Sequence, residues 1–312
     1  MSQMKAVQDL LLTNVSSAFI PQGLIADSVL PVVPSVQSTG KLGVYGTNHL
    51  RIETNIKGGR GAYPRVESMT RSTSSYSIEG HGLEGLVTLE DYKNAQAPFD
   101  AEADEVLGIT SLLAIAKEKG LADTLTSTAI LTQNTTLAGI QQFSDYDNSD
   151  PFSVFATGRS AIKSGCGIVD DMVAIVPWEV FNKLKYHPQF LDALGYKQSR
   201  PGGLKEAELA DILEVRAIYV PKGSYESAKE GQSTSLAAIW GKHIVFAVLP
   251  VSAQKYQVSA GYMFKYANEA VRQVSKYVVN NPRGAKGILV DDHYDMVISN
   301  AKAAYLIKDA IA

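Results

Sequence analysis

Apolar positions recur with two different periods along this chain, and the switches between them mark out its parts. Residues 7–20 carry a loose helical repeat, after which Pro21, Pro31, Pro34 and Gly40 keep the backbone extended. The apolar residues between them (Leu24, Ile25, Val29, Leu30, Val32, Val33) are too few for a core but suit an arm laid on a surface. From Lys41 to Ile78 the period is two. Leu50, Ile52, Thr54 and Ile56 share one face, and His49, Arg51, Glu53 and Asn55 the other. Gly58, Gly59 and Gly61 supply a turn, and a second extended run, rich in Ser and Thr, starts at Ala62. Strands of about sixteen residues would reach roughly 50 Å. A lone two-stranded ribbon is marginal in water, so a neighbouring subunit is predicted to hold it.

A long helix follows. Asp100 stands at the N-cap position, and Ala103, Val106, Leu107, Thr110, Leu113 and Ala114 form one stripe. Acidic residues crowd its start, while Lys117 and Lys119 precede Gly120, where the helix is expected to pause before resuming over 121–131. Asp150-Pro151 reads as a boundary. Beyond it, helices (152–163, 178–186, 205–213) alternate with strands (172–176, 216–220, 236–239, 244–249), an α/β unit of about a hundred residues. Strand patterns return at 262–266, 272–279 and 294–299, and an apolar helix is predicted over 301–311. The middle unit therefore reads as an insertion into a second body.

Composition narrows the function classes. The chain has 312 residues, 45% hydrophobic and 20% charged, enough to bury a sizeable core. Its longest apolar runs are too short to span a bilayer, and no secretory signal core is present at the start. One cysteine, Cys166, rules out an internal disulfide and reads as a small loop or surface thiol. The net charge of −3 argues against a general nucleic-acid binder.

Catalytic templates fit poorly. The Gly58-Gly59-Arg60-Gly61 turn lacks the Lys-Ser/Thr of a phosphate loop. The five histidines stand far apart, so no metal centre or cofactor is predicted. Asp291-Asp292-His293 and Asp170-Asp171 read as solvated loops. Local charge says more. Between Lys41 and Arg71, six basic residues (Lys41, Arg51, Lys57, Arg60, Arg65, Arg71) face two acidic ones, a net of +4. Between His81 and Thr110, seven acids, among them Asp100, Glu102, Asp104 and Glu105, face Lys93 alone, a net of −6. A basic ribbon without a core and an acidic helix start are complementary, so the ribbon is expected to dock on another copy.

Several segments resemble one known family, the tailed-phage major capsid proteins of the Hong Kong 97 type. Ile25-Ala26-Asp27-Ser28-Val29-Leu30-Pro31-Val32-Val33-Pro34 is similar to their N-terminal arm, and Pro98-Phe99-Asp100-Ala101-Glu102 to the entry of their spine helix. Ile175-Val176-Pro177 onward, Glu208-Leu209-Ala210 through Val220, Ile239-Trp240-Gly241 and Gly261-Tyr262 follow in the family's order. The resemblance implies an α+β capsid fold: N-terminal arm (1–37), extended β-hairpin loop (38–80), peripheral domain with the spine helix (81–150 and 261–312) and inserted α/β axial domain (151–260).

It also implies a non-enzymatic subunit that assembles with itself, as hexamers and pentamers, into an icosahedral virion shell around double-stranded DNA, formed in the host cytoplasm. Portal, decoration and scaffold proteins would be its partners. Only about forty residues precede the loop, so a separate scaffold protein, or a scaffolding segment already removed by proteolysis, is expected, and Met1 favours the former. Some relatives cross-link a loop lysine to an asparagine of a neighbour; Lys57 with Asn280 or Asn281 are the candidates. An encapsulin-like compartment shell is the alternative on the same fold, and an α/β enzyme a more distant one.

Overall fold

The computed structural model describes residues 6–19, 21–44, 50, 52, 72–95, 100–195, 203–229, 231–254, 257–269, 271–279 and 285–312. The chain opens with strand β1 (Val7–Gln8) and helix α1 (Leu10–Ala18), where Asp9 caps the helix by accepting from the Leu11 and Leu12 amides. A single helical turn, α2 (Ala26–Val29), and strand β2 (Val32–Ser35) complete the arm. Strands β3 (Thr39–Val44) and β4 (Ser72–Ser77) form the base of the ribbon, and β5 (Glu79–Thr88) continues from it. Reciprocal bonds between Thr88 and Asp91 start α3 (Leu89–Asn94). Asp100 caps α4 (Ala101–Leu125), as its sequence position predicts.

Strand β6 (Asn134–Thr136) precedes α5 (Pro151–Cys166), which begins with Pro at its first position and ends at Gly167, φ +76°. Then come β7 (Met172–Ile175), α6 (Trp178–Leu184), α7 (Pro188–Ala193), α8 (Glu206–Leu213), β8 (Ala217–Tyr219), β9 (Ser224–Glu226), β10 (Leu236–Ala238) and β11 (Ile244–Val248). Strands β12 (Gly261–Tyr266), β13 (Gln273–Val279), β14 (Ala285–Ile298) and β15 (Ala304–Lys308) close the chain.

One sheet has the order β6-β15-β11-β7-β8. Strands β7 and β11 are buried at every residue, which is why both read as unbroken apolar runs. Phe155 of α5 lies at the centre, with ring centroids 5.3 Å from Phe143 and 5.5 Å from Phe246. The helix expected over 301–311 is instead a 3₁₀ turn, Ala301–Ala303, followed by β15. Ala304 to Ile307 are buried and pair antiparallel with β11. A short apolar run of this kind carries no period that separates strand from helix. By sheet membership, then, the middle unit draws in β6 and β15 from either side of it in sequence.

The second sheet is built on β14. Strand β5 pairs with it antiparallel from Ala285 to Tyr294, β13 from Ala285 to Asp291, and β12 from Tyr294 to Ile298. The arm joins this sheet through β2, parallel to β12. Helix α4 belongs to both bodies. Its Val106 and Ile109 pack with Leu12, Val87, Val274 and Ile288 of the second sheet, whereas Leu121, Ala122 and Leu125 enter the large core of the first. The helix passes through Gly120 without a break, so Lys117 is a buried mid-helix residue and not the solvated end expected for it.

The ribbon base is anchored on its own subunit. Tyr76 stacks on Phe264 with centroids 4.1 Å apart, Ile78 is buried beside Tyr262 and Phe264, and the Ser77 amide donates to Asp295 at 2.7 Å. Leu50, half exposed, rests against Gly167 of the same chain.

Candidate functional site

The acidic start of α4 is divided in its duties. Asp100 is exposed and its carboxylate caps the helix; Asp104 is exposed. Glu105 is half-buried and lies against Gly85, where an added Cβ would displace the ends of the Glu105 and Ile109 side chains. Glu102 is 13% exposed and is held by Lys286 at 2.6 Å and Lys276 at 3.1 Å, with the Tyr92 hydroxyl also donating to it. Burial opposes its ionisation, but the two lysines outweigh burial and hold its carboxyl below the usual range. Glu102 is thus paired within its own subunit, and Asp100 and Asp104 are the solvent-facing members. Arg51, Lys57, Arg60, Arg65, Arg71, Asn280 and Asn281 lie outside the described residues.

A cluster that the sequence did not point to sits where the arm, α4 and the second sheet meet. Lys117, 2% exposed, donates to Asp27 at 2.7 Å and to Asp292 at 3.1 Å, and its ammonium lies 4.3 Å from the Tyr294 ring centroid. Arg272 reaches Asp27 at 3.0 Å and also donates to the Ser16 and Phe19 carbonyls; Lys265 reaches Asp27 at 3.4 Å. Burial works against ionised Asp27, but Lys117, Lys265 and Arg272 prevail and lower its pKa to about 2. Next along the helix, Glu118 accepts from the Trp240 indole at 2.6 Å and from the Ala26 and Ile25 amides at 2.6 and 2.9 Å. Burial pushes Glu118 up despite those bonds. Asp292 is a buried strand residue, not part of a solvated loop as Asp291-Asp292-His293 suggested. Its strand position and its partner, 175 residues away, leave no local signal.

Two other reactive-looking groups are enclosed. Cys166 ends α5, buried, its thiol donating to the Ile162 carbonyl at 3.2 Å, and burial raises its pKa; it is not a surface or loop thiol. The Ser149 hydroxyl and His187 Nε2 are 3.0 Å apart, but both residues are buried and the ring stands edge-on to Tyr146 and Phe190. Substrate has no approach to that pair. Among the described residues no group of His, Cys, Asp and Glu is arranged to hold a metal, and no helix is long and apolar enough to cross a membrane.

No family model matches the chain. It is 26% identical over 243 residues to the major capsid protein of Pseudomonas phage JBD67, covering 75% of each chain. To the major capsid protein of Burkholderia phage BcepMu it is 25% identical over 274 residues, covering 83% of each. A crystal structure of a phage-related protein from Bordetella bronchiseptica RB50 superposes with a TM-score of 0.73 over 98% of both chains, at 23% identity. The capsid of cyanophage P-SCSP1u gives 0.60 over 93% of this chain and 89% of that one, at 9% identity. An encapsulin of Synechococcus elongatus PCC 7942 gives 0.51 at 10% identity, over 98% and 96%. The chain is similar in sequence to phage major capsid proteins, and its α+β architecture is the Hong Kong 97-type capsid fold.

Proposed function

We propose that this protein is a structural shell subunit, a phage major capsid protein that assembles with copies of itself into the virion head. The observation that carries the reading is its similarity to two phage major capsid proteins over most of the chain, together with a capsid fold matched over 93% of it. Its role is structural rather than catalytic, as the similarity to capsid proteins supports. In this reading the arm (1–37), loop (38–80), peripheral parts (81–150, 261–312) and axial part (151–260) form hexamers and pentamers of an icosahedral container for double-stranded DNA, built in the host cytoplasm. A separate scaffold protein guides assembly, and portal and decoration proteins complete the particle. The basic ribbon lies on a neighbour, where Asp100 and Asp104 offer it negative charge; Lys57 and Asn280 or Asn281 stand as the cross-link pair.

Electron microscopy of the expressed protein, alone and with its phage's scaffold, tests this. Closed particles of megadalton mass are expected; a stable monomer under every condition overturns the shell reading. Particles purified from the producing host that hold an enzyme and no DNA would favour the encapsulin alternative. Reversing Arg51, Arg60 and Arg65 to Glu should cut particle yield by about tenfold while leaving the subunit folded. Normal assembly of that variant in low and high salt would remove the electrostatic docking step.

A further inference from the structure

Beneath the arm lies a cavity of about 440 Å³. One wall is arm (Phe19, Pro21, Leu24), and the other is Ala114 of α4 with Val271 beside the charged cluster. Val32 and Val271, 43% and 45% exposed, also line it and leave apolar surface open to solvent. The cavity is larger than packing voids in a well-filled core, and it is amphipathic: an apolar hollow with Lys117, Lys265 and Arg272 on one side, beside the carboxyl groups of Asp27 and Glu118.

Those cations are not equally satisfied. Lys117 and Arg272, almost fully buried, have short bonds to Asp27, Asp292 or backbone carbonyls. Lys265 has three N–H donors, yet its one hydrogen-bond partner among the described residues is Asp27 Oδ1, at 3.4 Å, an oxygen already bonded by Lys117 at 2.7 Å. Lys265 also borders a second, smaller cavity of about 170 Å³ with Val32 and Val271. Its side chain is 15% exposed, so it is the cation a small molecule can reach. Burial and the neighbouring Lys117 work against its charge and Asp27 and Asp292 favour it, with burial and Lys117 prevailing, so a further anion would support it.

We propose that this cavity binds a small amphipathic monoanion, a carboxylate on an unbranched apolar stem, with the carboxylate on Lys265 and the stem between the arm and α4. Such a ligand bridges arm and body and so fastens the arm down. The site is independent of the shell reading, since it needs only the folded subunit.

Octanoate is the probe, with 1-octanol as its uncharged match, each titrated into the full chain while thermal unfolding and equilibrium dialysis are followed. Saturating octanoate should raise Tm by about 3 °C at a stoichiometry of one per chain. Affinity should climb about fourfold per methylene from butyrate to octanoate. Lys265→Met should weaken octanoate by at least about tenfold and leave octanol unchanged. Ala114→Leu, which fills the hollow, should abolish binding of both while keeping the fold. Equal affinity for octanoate and octanol, loss of the chain-length trend, or full binding by Ala114→Leu each overturns the assignment.

Discussion

The core of the five-stranded sheet and the Lys117–Glu118 junction beneath the arm are both buried but are held by opposite means. Around β7 and β11, aliphatic and aromatic side chains interlock: Phe155, Phe246 and Ile175 are at most 1% exposed and bring no charge with them. Eight residues along α4 from Ile109, Lys117 and Glu118 are as deeply enclosed, yet their close partners are mainly ionic or hydrogen-bonding. Apolar packing tolerates many near-equivalent arrangements, whereas a buried ammonium accepts few. The contrast teaches that the first region supplies stability and the second supplies register, fixing where the arm sits against the helix.

Truncating Phe246 to Ala should have the largest effect, destabilising the subunit by about 3–5 kcal/mol in denaturant unfolding, because the close-packed core around it, Phe155 included, cannot fully collapse into the gap. A loss under about 1 kcal/mol would mean that this core is loosely packed. Asp292→Asn comes next. It keeps the shape but takes a charge from Lys117, and should cost about 2–3 kcal/mol, with faster proteolysis in the arm than in β11. Equal protection in both places would contradict the division into stability and register.

The smallest effect is a pH dependence. Asp27 has its pKa lowered from 3.8 to about 2 by its cations. The stabilisation it gives is therefore fully present above the unfolded value near 4 and fades as pH falls toward 2. Its side chain is 44% exposed, so solvent screening limits the contribution to about 1 kcal/mol. The stability difference between the natural protein and Asp27→Asn, measured at pH 6, 4 and 2, should shrink to a small remainder across that window. A difference undiminished at pH 2 would place the effect on packing rather than charge.

Much of the first region was legible in sequence. The runs at 172–175 and 244–248 announce buried strands, Asp100 and Asp150-Pro151 announce helix starts, and Gly167 an end. The exception, β15, failed because Ala304 to Ile307 are buried on both faces and so lose the alternation that marks a strand. The junction was almost wholly illegible. Lys117 matched a helix-end cation, Asp292 matched a polar turn, and Asp27 was one residue in a family-like arm; only folding brings both aspartates within 3.1 Å of Lys117. Local pattern records which side chains seek burial, not which distant charge will meet them. The ribbon base falls between: its period-two pattern was readable, but Tyr76 stacking on Phe264 was not.

Helix α4 has one more consequence. Twenty-five residues without a break make a rod about 37 Å long, clamped at one end in the second sheet and at the other in the first. Any tilt of one body against the other must bend that rod or shear it past the ion pairs about two-thirds of the way along it. The two halves of the subunit are therefore coupled like the ends of a strut, and a push on either is felt at Lys117.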